Sequence, residues 1–264
     1  MPEYIVQWTQ ALDYDPMHTP ADELTVLAAR TASVRASFRT GSKTDEELAQ
    51  LTSTLETDLL GWSETTLAAG SLCSFHNVRD PDSPHAWNGT QHQYGVPQAH
   101  RHWDMWRSLR ILLSRTQEAI WRRSWPTLAQ PSQPPPSTEH YKAVRNRMTA
   151  DICIAAAYAL GNDSSAEPPR GSISSGYMLI MPLCLAGTCL LEQLAEPIVS
   201  PGGSRMLLVD EPLHLDHFNQ TSTQLAWIVD RVDYIADKIG IKWAHAVGKL
   251  LKGENKIYYD LGRS

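Results

Sequence analysis

A chain of 264 residues is long enough to bury a substantial core, and 42% hydrophobic with 20% charged residues is ordinary globular composition. The formal charge of -6 excludes attraction to nucleic acid through a global positive field. Four dispersed cysteines, Cys73, Cys153, Cys184 and Cys189, make no disulfide framework and favour an intracellular compartment, and the opening MPEYIVQWTQ carries no secretion signal.

In chain order, Thr19-Pro20-Ala21-Asp22 predicts a helix start: a threonine cap, proline at the first helical position and an acid in the first turn. Leu24, Leu27, Ala28, Thr31, Val34 and Phe38 follow at helical spacing, with Gly41 as the stop. Thr44 and Glu47 form a capping-box pair ahead of Leu48, Leu51, Leu55 and Leu59, and Gly61-Trp62 is read as the end of that second helix. Leu72–Pro97 is rich in turn dipeptides (Asp80-Pro81, Ser83-Pro84, Asn88-Gly89) and is read as a surface loop. Gln98–Trp125 predicts a long helix with Trp103, Trp106, Leu109, Leu113, Ile120 and Trp121 among six arginines, which the proline-rich loop 126–136 ends. Ser137–Leu160 is helical again, with Gly161 as its stop, and 162–172 is a polar loop.

The next stretch, Gly176–Leu191 (GYMLIMPLCLAGTCLL), has no charge and must be buried on nearly all sides. It is shorter than the roughly 20 apolar residues a bilayer needs and contains Pro182, so it is read as a buried central helix rather than a membrane span. Residues 196–220 read as an insertion, with a short strand at Arg205–Val209. Thr221 and Gln224 then cap a helix whose apolar stripe runs through Leu225, Ile228, Val232, Ile235 and Ile239, and a last helix covers Ile241–Leu251. The fold class is all-α: a single domain over 1–264, with seven or eight helices around the central apolar one.

Three segments give this order of helices a meaning. They are Leu24–Trp62 with its Arg39-Thr40-Gly41 turn, WRSLRILLSRTQEAIWR from Trp106 with Ala150–Cys153 beyond it, and Gly176-Tyr177 with LIMPLCLAG followed by WIVDRVDYIADKIGIKWA at Trp227–Ala244. Together they resemble the C-terminal part of the fungal-specific transcription factor domain, the regulatory region of zinc-binuclear-cluster regulators. The resemblance implies a nuclear role in transcription, through partner regulators in heterodimers or in competition with them, and a small hydrophobic effector between helices. Regulators of this family read DNA with a six-cysteine module in which two zinc ions share the thiolates. This chain has no Cys-x-x-Cys pair, so direct DNA binding is not expected of it, and nuclear entry would depend on a partner; otherwise it stays in the cytoplasm.

Candidate chemistry is sparse. His85, His92, His100 and His102 fit no zinc spacing and are read as solvated loop histidines, with no metal or cofactor assigned. His214, Asp216 and His217 in EPLHLDH are the catalytic candidates, since acids beside histidines can do general acid–base work. Tyr177, Met181 and Trp227 are the candidate lining of an effector site. The helix 98–125 arginines are expected to pair with carboxylates of Asp45–Asp58 or to solvate their helix. The leading reading is thus a regulatory interaction domain. The alternatives are a helical scaffold recruited as a cyclase or isomerase of a hydrophobic intermediate in fungal secondary metabolism, and a partial gene model of a full zinc-cluster regulator.

Overall fold

The computed structural model describes residues 19–68, 73–128, 138–161, 173–195 and 212–254. They form seven helices and one two-stranded hairpin: α1 (Pro20–Thr40), α2 (Asp45–Ala68), β1 (Phe75–Arg79), β2 (Thr90–Tyr94), α3 (Ala99–Leu128), α4 (Glu139–Leu160), α5 (Ile173–Ala195), α6 (Pro212–Asp237) and α7 (Lys242–Leu251). The all-α expectation holds. The chain divides into two compact units, one holding α1, α2, the base of the hairpin, α3 and α4 up to Met148, the other holding the hairpin tip, α4 from Thr149, and α5 to α7.

In the first unit the helix starts follow the sequence closely. Thr19 and Asp22 cap α1 reciprocally, and Gly41 closes it in the left-handed conformation at φ 65°. The Thr44 backbone N–H donates to Glu47 at 2.8 Å and the Glu47 N–H donates back to the threonine hydroxyl, which starts α2. That helix does not stop at Gly61-Trp62 but continues to Ala68. Trp62 is buried and its indole donates to the Pro20 carbonyl at 2.7 Å, so tertiary anchoring overrides the local cost of glycine. α1, α2 and α3 pack on one another around Leu24, Leu48, Leu55, Leu59, Trp103 and Ile111. α3 runs on to Leu128, past Pro126 where the sequence suggested a loop. As expected, its arginines find α2 carboxylates: Arg110 meets Glu56 at 3.2 Å, and Arg123 pairs with Asp45.

The largest correction lies in Leu72–Pro97. Instead of a simple loop it contains the β1–β2 hairpin, whose tip turns at Asn88 (φ 51°) and Gly89 (φ 66°), with Trp87 bridging Thr90. Two consecutive left-handed residues make the tight turn that matches strand twist, and Asn-Gly supplies them at little steric cost.

In the second unit α5, α6 and α7 pack against one another. α6 begins at Pro212, so Thr221 is a buried mid-helix residue rather than a cap, and residues 212–220 belong to a helix rather than to an insertion. The proposed strand at 205–209 and the loop 162–172 lie outside the described residues. α5 is 23 residues long and is the one helix among the described residues long and apolar enough to cross a bilayer, yet more than half of its apolar window is buried within the protein. Burial is incomplete in its first turns, where Ile173, Tyr177, Met178 and Met181 stay exposed.

Two glycines bring α7 close to α5. A Cβ on Gly176 would lie 2.9 Å from Ile239 and 3.3 Å from Ile241, and one on Gly187 would lie 2.6 Å from Leu251, itself buried. Gly187→Ala is therefore expected to overpack the interface by about 1–3 kcal/mol, more than the roughly 1 kcal/mol of helix propensity it gains. Thermal unfolding checks this: Gly187→Ala should lower the midpoint in the native background, and leave it unchanged or raise it in a Leu251→Ala background.

Candidate functional site

Two polar clusters and one apolar surface hold the groups that could do chemistry or recognition. The first cluster centres on Arg107 of α3, whose side chain is 1% exposed. Helical spacing places Trp103, Asp104 and Arg107 on the buried side of α3, against the base of the hairpin. One Arg107 nitrogen donates to Asp104 at 3.0 Å and to the Tyr94 hydroxyl at 3.1 Å, and the other donates to His92 Nδ1 at 3.0 Å. The guanidinium carbon sits 5.2 Å from the Phe75 ring centre and 6.0 Å from that of Trp103. Because Arg107 has only donors, His92 Nδ1 must accept, which fixes His92 as the neutral tautomer protonated on Nε2. Burial and the facing arginine push the His92 pKa down to about 3, while burial pushes Asp104 up to about 6 against the pull of Arg107. Around this core the Trp103 indole donates to Cys73 O and the Trp106 indole to Leu59 O, each at 2.7 Å.

The second cluster lies in the other unit, where Arg231 of α6 holds the hairpin tip. Arg231 donates to the Pro84 carbonyl at 2.7 Å and to His85 Nδ1, and pairs with Asp230. Its guanidinium lies 5.6 Å from the Trp227 ring, which meets Trp87 edge-on at 5.4 Å, and His85 stacks edge-on to Tyr234 at 4.7 Å. Burial and Arg231 lower the His85 pKa to about 4. Deeper in the same unit, burial pushes the Cys153 thiol up to about 12, so it acts as a packed hydrophobe and not as a nucleophile.

The histidines read as solvated are thus mostly interior groups: His85, His92 and His100 are all buried, and His100 Nδ1 lies against the Pro97 carbonyl. Among the described residues no three His, Cys, Asp or Glu side chains gather closely enough to hold a metal ion. Of the catalytic candidates, His214, Asp216 and His217 sit in the first turns of α6, where Asp216 is exposed, and the side chains of His214 and His217 lie outside what is described. The effector candidates fall in separate places. Tyr177 and Met181 are 56% and 48% exposed on α5, with Tyr177 5.9 Å from Trp243 of α7, whereas Trp227 packs under Arg231. Asp104 was missed by sequence reasoning, although an acid three residues before an arginine and between two tryptophans of one helix is a readable signal for a buried pair.

The chain matches no protein-family model, and no curated protein or solved structure is detectably similar to it.

Two outcomes follow from the buried clusters. Arg107→Ala leaves Asp104 buried without its counter-charge and is expected to cost about 3–5 kcal/mol, measured by chemical denaturation. Acid should also destabilise the protein. His85, His92, His100 and His102 all have lowered pKa values when folded, so on unfolding they bind protons between about pH 4 and 6.5, and stability falls as pH drops through that window. Asp104 opposes this, since its raised pKa makes the folded form hold a proton that the unfolded form releases. The unfolding midpoint should therefore fall between pH 7 and 5, with a slope of roughly 1.4 kcal/mol per pH unit for each net proton, and His92→Gln should make that slope shallower.

Proposed function

We infer that the chain is a helical regulatory domain of the type found in fungal zinc-cluster transcription regulators, working through protein partners. The observation that carries this reading is the contrast between interior and surface. Arginine, aspartate and histidine side chains are enclosed and engaged in holding the hairpin, while Ile173, Tyr177, Met178, Met181 and Trp243 stand exposed together on α5 and α7. Exposed apolar clusters of this kind serve recognition. The chain's own cysteines are dispersed, with three of the four buried, so DNA targeting is assigned to the partner regulators, as heterodimers or competitors. A nuclear site of action and a place in the control of secondary metabolism belong to the same reading. A small hydrophobic effector would enter beside Tyr177 and Met181 at the start of α5.

Capture from fungal nuclear extract, run beside a metabolite-conversion assay on the same purified chain, tests this. Recovery of DNA-binding regulators, lost on Tyr177→Ser/Met181→Ser, is the expected result. Conversion of a metabolite with no regulator recovered would replace the reading with the enzymatic one.

A further inference from the structure

The surface around Tyr177 and Trp243 has a shape and a charge that narrow what it takes. Gly176 lies against Ile239 and Ile241 at the start of α7, and Gly187 lies against Leu251 at its end, so α5 and α7 run side by side in the same direction. Ile173, Tyr177 and Met181, spaced four residues apart, make one apolar line along the open side of α5, about 12 Å long. Trp243 faces Tyr177 from α7, and the half-buried Ala246 and Leu250 continue that edge. The result is an apolar strip about two helical turns long.

Its rim is basic. α7 contains no acidic residue. Lys252, just past its end, is neutralised from α6 by Asp233 at 2.8 Å, and His245 lies 3.6 Å from Asp237. Lys238, Lys242 and Lys249 are exposed and pair with no carboxylate among the described residues. Lys238 and Lys242 flank the 239–241 turn that seats Gly176, and Lys249 stands two turns along α7 from Lys242 on the same side.

We propose that this strip is the docking site for a short acidic, amphipathic segment of a partner protein, which lays apolar side chains between Tyr177, Met181 and Trp243 and sets carboxylates against Lys238, Lys242 and Lys249. A strip of this length suits a helix anchored through residues at i, i+4 and i+7, and the methionines adapt to their shape. A second copy of the chain fits poorly, because a two-fold contact through this face would set lysines against lysines. An anionic bilayer fits poorly as well, because the chain carries a net charge of -6 and the apolar line is narrow. This inference deepens the partner-binding reading above and rests on it.

The test is selection of a random peptide library displayed on phage, against the purified chain and against Lys238→Glu/Lys242→Glu/Lys249→Glu, with Lys43→Glu as a charge control elsewhere. None of the three rim lysines makes an ion pair among the described residues, so the triple variant should fold normally, which its circular dichroism checks. The expected result is enrichment of peptides with Asp or Glu among apolar residues at helical spacing. The best of them, made synthetically, should lose roughly tenfold in affinity on the triple variant, as three solvent-exposed ion pairs imply. It should also weaken on Tyr177→Ser/Met181→Ser and with added salt, and be untouched by Lys43→Glu. Enrichment without acidic bias, or equal enrichment on the triple variant, overturns the proposal. So does capture of the chain by phosphatidylcholine–phosphatidylserine vesicles through the same lysines, or self-association that the triple variant abolishes. If regulators are still recovered from extract by the triple variant, this inference fails while the partner reading stands. If acidic peptides bind as expected but no regulator is recovered, the transcriptional reading fails on its own.

Discussion

The guanidinium of Arg107 cannot shed its charge, and it lies buried inside the first unit. Everything around it is arranged to make that tolerable. Asp104, one turn back on α3, supplies the counter-charge, Tyr94 and a neutral His92 accept from the two terminal nitrogens, and the faces of Phe75 and Trp103 lie against the guanidinium. Four of these six residues lie outside the pair itself, and three come from the hairpin strands. The charge on α3 therefore explains why a hairpin with so few apolar residues stays folded: its strands are held through polar side chains aimed at one buried cation. Such an ion pair adds little net stability compared with apolar packing, but it penalises every arrangement that leaves either partner alone.

Arg231 does for the hairpin tip what Arg107 does for its base, but more openly. It reaches a backbone carbonyl and a histidine ring, and the carboxylate it pairs with, Asp230, is exposed where Asp104 is buried. Each histidine met by an arginine is neutral for the same reason: the donor occupies the nitrogen that a second proton would need. Both are therefore structural acceptors, which accounts for histidines in the interior without a metal or a reaction to serve.

How much of this could be read beforehand depended on the range of the interaction. The Thr19 and Thr44 caps and the stops at Gly41 and Gly161 depend on residues within a turn of one another, and they appear where the residues put them. Gly61 and Thr221 carried equally good local signals that the fold overrode, because Trp62 anchors to Pro20 and α6 starts nine residues before Thr221. The hairpin was hidden for a related reason. FHNVR and TQHQY lack apolar alternation, since their partners are polar groups far along the chain, and only Asn88-Gly89 marked the turn. Of the candidate site residues, Tyr177 and Met181 proved to be neighbours on one helix face, whereas Trp227 was drawn to Trp87 by a pairing that spacing cannot show.

Gly176 and Gly187 act as two notches cut in α5, one under the start of α7 and one under its end. A helix seated in two notches does not slide gradually. Its nearest alternative seat is a full turn away, about 5.4 Å, and there Leu251 would press on a residue that has a side chain. The spacing between Tyr177 and Trp243 is thereby held like the jaws of a fixed gauge, ready to discriminate by length before any partner arrives.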